Sequence, residues 1–415
     1  MQNFLGDSEP VLLAAGSVET STLVSFAWIM AAASLAPILS WLTGKRIPAV
    51  VLLIGLGALI GPHALHLADI EGGVSLLKDL GLGMLFLLAG YEIKVSTVRS
   101  REGFTASVTW LACIALSYIG ANYILDYGTS ATATVLAIAV TSTAVGTLLP
   151  IMKQQDMLDT NVGKSLLVHG AIGEIFPIFA MALLLSTRTT WLTATVLLSF
   201  FAIAVLIAAI PATVRNLVPW VGRAMISSAS ATNQMVLRVV IWMLAILMAV
   251  AAAFQLDVVL GAFAAGFILR QLVPKKYRNA LEQRLDVVGY GLLIPVFFVC
   301  SGMAIDTAAV VDNPMRLAIL IPVIYIARGL PILLREIFSN TGSGLETTRE
   351  KIQLSLYGAT ALPIIVAVTD VATTSEIISS ANASILVAAG SITVLLFPLL
   401  AHLLDKSNSQ QEQTG

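Results

Sequence analysis

Long apolar runs, each about the length of a bilayer crossing, alternate along this chain with short polar connections. A spanning helix takes about 20 mostly apolar residues at about 1.5 Å of rise per residue. On that measure the runs fall at 21–42, 48–64, 74–95, 104–126, 131–152, 162–186, 190–213, 233–254, 257–272, 288–305, 314–336, 352–372 and 382–404, which predicts thirteen membrane-spanning helices. The runs are continuous and lack the short apolar–polar alternation of barrel strands, so a closed barrel is excluded.

The basic residues order these spans. With the N-terminus outside, Lys45, Arg46, Lys94, Arg99, Arg101, Lys153, Lys164, Arg215, Arg223, Arg238, Arg270, Lys275, Lys276, Arg278, Arg284, Arg335, Arg349, Lys351 and Lys406 fall on the cytoplasmic side, against Lys78, Arg188 and Arg316 outside. One miscounted span would scramble this asymmetry downstream, so the expected topology is N-out and C-in, in the cell membrane. The segment PKKYRNALEQRLD (274–286) reads as a short interfacial helix, its lysines meeting lipid headgroups. The polar stretch 405–415 reads as a disordered cytoplasmic tail.

Composition agrees with this. Of 415 residues, 57% are hydrophobic and only 11% charged, too little charge to cover a soluble domain. The net charge of −1 provides no basic excess for nucleic acid. Cys113 and Cys300 lie within apolar runs and read as core thiols, and no four metal ligands converge in sequence, so neither a cofactor nor a resident metal is expected.

Charge deep in a span is costly and points to function. Glu174 stands in the middle of span six, and Arg328 well inside span eleven. Removing a carboxylate from water favours its protonated form, which a reversible proton carrier requires. Arginine stays charged, so Arg328 needs a carboxylate or helix-end carbonyls, with Glu174 and, at the outer end of span twelve, Asp370 as candidate acids. His169 lies five residues before Glu174, as a satisfied interfacial histidine or along a cytoplasmic access path where it would sense pH near neutrality, and Glu92 closes span three at the cytoplasmic interface or lines the inner funnel.

Two spans carry breaks. Span five has Thr141, Ser142, Thr143 and Gly146 at its centre; span twelve has Gly358, Thr360 and Pro363. Proline removes an intrahelical hydrogen bond and glycine tolerates the broken geometry, which lipid permits only beside a cavity or inside protein. The triples 4-5-6 and 11-12-13 start on opposite sides of the membrane, as inverted repeats of alternating-access carriers do. The expected fold is therefore all-α: a polytopic membrane protein of about thirteen helices, with inverted repeats and two crossed discontinuous helices. The stretches GLGALIG (55–61), GLGMLFLLAG (81–90) and GAFAAGFIL (261–269) read as close-packing surfaces.

Over residues 20–404 the chain resembles the monovalent cation:proton antiporter family, second branch, which holds bacterial sodium/proton and potassium-efflux exchangers. The likeness rests on LGMLFLLAGYEI (82–93), VTSTAVGTLLP (140–150), LGAFAAGFIL (260–269) and IPVFFVCSGMAID (294–306). It implies a homodimer, a static scaffold (about 20–95 and 190–305) and a moving core bundle (about 104–186 and 314–404). The family's ion-binding aspartate corresponds to Glu174, its second-repeat basic residue to Arg328, and its broken-span polar residues to Thr141, Ser142 and Thr143. The family places an acid or amide before the aspartate, whereas Gly173 stands here, so exchange of one proton per cation is expected. No nucleotide-binding regulatory domain is expected after residue 404.

These readings give an antiporter of Na⁺ or K⁺ for H⁺, its one ion site at Glu174 completed by the Ser142 and Thr143 hydroxyls. A sodium-coupled organic-anion symporter, with Arg328 as anion ligand, is the alternative. A channel would need a continuous polar path, and an enzyme a nucleophile with its base or a metal cluster; neither is visible in the sequence.

Overall fold

The computed structural model describes residues 9–44, 47–92, 100–123, 130–143, 148, 152, 157–184, 195, 198–199, 202, 235–254, 256–273 and 277–411. All regular structure among them is helical. In lipid every backbone N–H and C=O must find a partner within the chain, and a helix provides this locally. Six helices pack on one another: α1 (Glu9–Leu42), α2 (Ala49–Ile60), α3 (Gly73–Glu92), α7 (Met235–Ala253), α8 (Val258–Leu272) and α9 (Arg278–Met303). A second bundle comprises α4 (Arg101–Tyr123), α5 (Ser130–Val140), α6 (Asn161–Leu184), α11 (Pro314–Phe338), α12 (Thr348–Gly358), α13 (Leu362–Thr374) and α14 (Ser380–Gln411). The short α10 (Thr307–Asp312) leads from α9 into α11 and rests on α14.

Twelve of the thirteen predicted spans coincide with helices among the described residues. Nine are long and apolar enough to cross a membrane, and three apolar helices, α2, α5 and α8, are shorter. The predicted span 190–213 lies outside the described residues apart from four positions.

Both expected breaks are present. Helix α5 stops at Val140, and Thr141 to Thr143 leave the helix; Gly146 lies outside the described residues. Span twelve divides into α12 and α13 around Ala359–Ala361, with Ala361 at φ −143° and ψ 14°. Pro363 lies just past the break. It sits in the first turn of α13, where a missing N–H costs nothing.

Two π-helical turns add a feature the hydropathy pattern does not reveal. One spans Gly289–Leu293 within α9 and closes with the Ile294 N–H on the Gly289 carbonyl; the other spans Tyr325–Gly329 within α11 and closes with Leu330 on Tyr325. Each ends two residues before a proline, Pro295 or Pro331. A proline has no N–H to continue the ladder, and the wider turn absorbs the interruption. Through the first π-turn the expected interfacial helix joins span ten without a stop, so Arg278–Met303 is one rod. Helix α14 continues to Gln411, so the stretch expected to be a disordered tail is helical that far.

The glycine-rich stretches act as close-packing surfaces. A Cβ on Gly90 would run into the Phe263 carbonyl, and one on Gly266 into the Leu87 carbonyl, so α3 and α8 meet backbone to backbone at a reciprocal pair. Gly57 and Gly302 repeat the arrangement between α2 and α9, against Val299 and Ile54.

Candidate functional site

Thr143 is the hub where the broken spans cross. Its N–H donates to the Gly173 carbonyl of α6 (2.9 Å), and its hydroxyl donates to the Gly358 carbonyl at the end of α12 (2.5 Å). The same oxygen accepts from Arg328 Nε at 3.1 Å. One side chain thus ties α5, α12 and α11 together, and its backbone adds α6. The Gly358 carbonyl is among the C-terminal carbonyls that a helix leaves without an internal partner, which is why a hydroxyl is stabilising there.

Arg328 is fully enclosed, with 0% of its surface exposed. Besides Thr143 it donates from Nη2 to the His169 carbonyl (3.0 Å), and the Cys113 thiol lies against it. Nη1 has no hydrogen-bond partner. Neither expected acid is its partner. Glu174 makes no ion pair with it, and Asp370 pairs with Lys78 at 2.6 Å, joining α13 to α3. The reason is rotational. Residues 169 and 173, four apart, share the face of α6 turned to Arg328, whereas Glu174 is turned about 100° from Gly173.

That turn brings Glu174, 5% exposed, to the wall of a small cleft. Leu85, Ala89 and Glu92 of α3, Tyr290 of the first π-turn, and Pro363 and Ile364 at the start of α13 are among its walls. The cleft therefore lies between the two bundles, against the break in span twelve. Glu92 shares it; Tyr290, which lies in the π-turn, was not anticipated.

The other predicted residues serve the crossing more than the cleft. Thr141 donates to the Ala137 carbonyl (2.6 Å), Ser142 to Ala139 (2.7 Å) and Thr360 to Tyr357 (2.7 Å), so each hydroxyl caps its own broken helix end. Thr141, Ser142 and Thr143 are all buried, and none of them lines the Glu174 cleft. His169 is buried at the α6–α11 interface, with Nε2 4.0 Å from Glu336. Among the described residues no group of three His, Cys, Asp or Glu side chains is arranged to hold a metal ion.

Comparison with known proteins adds a second line. Residues 30–402 match the family described as "Sodium/hydrogen exchanger, transmembrane". YjbQ of Bacillus subtilis (strain 168) is 27% identical over 74% of this chain and 51% of its own length. The Na⁺/H⁺-K⁺ antiporter GerN of Bacillus cereus is 24% identical over 62% of this chain and 65% of its own. The glutathione-regulated potassium-efflux system protein KefC of Klebsiella aerogenes is 27% identical over 64% of this chain and 42% of its own. The chain thus spans about half the length of these curated relatives. The sodium proton antiporter MjNhaP1 of Methanocaldococcus jannaschii, solved at pH 8, has the same fold, with a TM-score of 0.59 over 91% of this chain and 96% of that one at 18% identity. With 373 consecutive residues matched, from 30 to 402, and the crossed helix breaks in place, the chain belongs to the transmembrane sodium/hydrogen exchanger family, within the monovalent cation:proton antiporters.

Proposed function

We propose that the chain exchanges Na⁺ or K⁺ for H⁺ at a single site, with Glu174 as the carboxylate that either ion occupies in turn. The observation that carries this reading is the position of Glu174: buried, yet lining a cleft at the break of span twelve. Ionised Glu174 holds a partly dehydrated cation, with oxygens of the cleft such as Glu92 and Tyr290 completing its shell. A proton displaces the cation. Only the cation-bound and protonated forms cross, because carrying a bare carboxylate through the apolar middle costs several kcal/mol in order of magnitude. Thr141, Ser142 and Thr143 hold the crossing in register, and Arg328 offsets the partial negative charge of its helix-end carbonyls.

Glycine at position 173, where an acid or amide would precede the ion-binding carboxylate, supports exchange of one proton per monovalent cation. A Cβ at Gly173 would lie 2.7 Å from the Thr143 oxygen and 2.9 Å from Arg328 Nη2, so that position has no room for an acid. In liposomes, Na⁺, K⁺ or Li⁺ pulses should drive proton flux at the same rate whether or not the membrane potential is clamped. A rate that rises on clamping contradicts the electroneutral cycle.

The reading includes a homodimer, an outside N-terminus and a cytoplasmic C-terminus, with the two broken spans as inverted counterparts. Helices α1–α3 and α7–α9 form the scaffold, against which α4–α6 and α11–α14 move. The Lys78–Asp370 pair then bridges the moving parts on the outer side of Glu174, and Asp79 and Asp257 lie near enough to feel its charges. We expect Lys78→Gln or Asp370→Asn to increase, severalfold, the labelling by an external impermeant thiol reagent of a cysteine at Ala367, a buried position one turn from Asp370. The double reversal Lys78→Asp with Asp370→Lys should restore protection. Unchanged labelling in both single variants contradicts an outer closure at this pair.

A further inference from the structure

A second buried acid lies away from the exchange cleft. Glu336, near the end of α11, is 4% exposed, and no lysine or arginine pairs with it among the described residues. Its Oε2 accepts from the Thr341 hydroxyl (2.9 Å) and the Ser343 hydroxyl (2.6 Å), residues of the turn that follows α11. Its Oε1 has no hydrogen-bond partner and faces His169 Nε2 at 4.0 Å. The imidazole is 1% exposed, and neither of its nitrogens has a hydrogen-bond partner either.

A buried carboxylate oxygen and an imidazole facing each other without hydrogen-bond partners form a strained polar contact. An added proton makes both imidazole nitrogens donors and lets Nε2–H meet Oε1 in a charge-assisted hydrogen bond of about 2.7–2.9 Å. The charged groups around the pair are few. Arg328 and Arg335 stand on α11, and Glu102 on α4 comes close enough to Glu336 to repel it.

We propose that His169 and Glu336 form a buried proton-binding pair at the α6–α11 interface, separate from the exchange carboxylate, through which the pH on that side of the membrane sets the transport rate. The inference rests on the exchange reading above. Binding one proton moves the pair's net charge from −1 to 0 and shortens the 4.0 Å gap by about 1 Å. The His169 carbonyl holds Arg328 Nη2, and Arg328 Nε holds Thr143, whose hydroxyl holds Gly358. Closing the gap therefore acts directly on the helix crossing. By the proposed topology, this end of α6 and α11 faces the cytoplasm.

The test uses the full chain in liposomes, with the pH of each side varied independently and cation-driven proton flux recorded. In Glu336→Gln, which keeps an oxygen for Thr341 and Ser343, the rate–pH profile for one side should lose one proton of dependence, about tenfold per pH unit on its steep limb. His169→Gln should lose the same, and the double variant no more than either single one. Glu336→Asp, which keeps the acid, should retain the slope. If Glu336→Gln does not fold, His169→Gln carries the test alone. Profiles that superimpose on the wild type, or single effects that add in the double variant, overturn the pair. Failure of the exchange reading would be distinct: it would appear as flux persisting in Glu174→Gln at every pH.

Discussion

Glu174→Gln is expected to abolish cation-driven proton flux in liposomes, down to the leak of protein-free membranes. The amide matches the carboxylate in size, so the buried position and its cleft should persist. It can neither release a proton at working pH nor balance a cation's charge, and both half-reactions stop together. Glu174→Asp should keep coupled flux with a weaker apparent cation affinity, because the shorter side chain draws the charge back from the cleft. Flux that survives in the Gln variant places the exchange site elsewhere.

Thr143→Val should have the next largest effect. Valine matches threonine in shape but removes the donor to the Gly358 carbonyl and the acceptor for Arg328 Nε. Leaving a buried carbonyl and a guanidinium N–H without partners costs roughly 2–5 kcal/mol in total. The expected outcome is a lower melting temperature of the purified protein and a transport rate reduced about tenfold or more, 1.4 kcal/mol per decade. Thr143→Ser should recover most of both. A valine variant with wild-type stability and rate would show that the crossing does not depend on this hydroxyl.

Much of the fold is legible in the sequence because lipid imposes simple rules. Span lengths follow from bilayer thickness, and the breaks are marked by hydroxyl, glycine and proline residues where an apolar helix has no use for them. Glu174 is legible for the same reason, as a charge with no business in hydrocarbon. The errors are rotational. The turns at Gly289–Leu293 and Tyr325–Gly329 each follow a five-residue hydrogen bond that hydropathy does not register, and they decide where Tyr290 and Arg328 face. Their one signal, a proline just past each turn, reads equally as an ordinary kink.

Glu336 escaped notice because it follows Arg335 near the end of a span, where a charged pair reads as interfacial. Only the returning turn with Thr341 and Ser343 encloses it. For Arg328 the sequence left a carboxylate or backbone carbonyls open as partners; the His169 carbonyl and the Thr143 hydroxyl receive it. Ser142 and Thr143, expected in the oxygen shell, donate their hydroxyls to backbone carbonyls and do not line the Glu174 cleft.

Competition between the two ions at Glu174 can be measured directly, as initial rates of exchange against cation concentration at a series of pH values. One carboxylate shared in turn predicts an apparent KM that rises about tenfold for each pH unit on the acid side, with the maximal rate at saturating cation unchanged. A KM that stays constant while the maximal rate falls with acid would mean that proton and cation bind at different groups, and it would contradict the account.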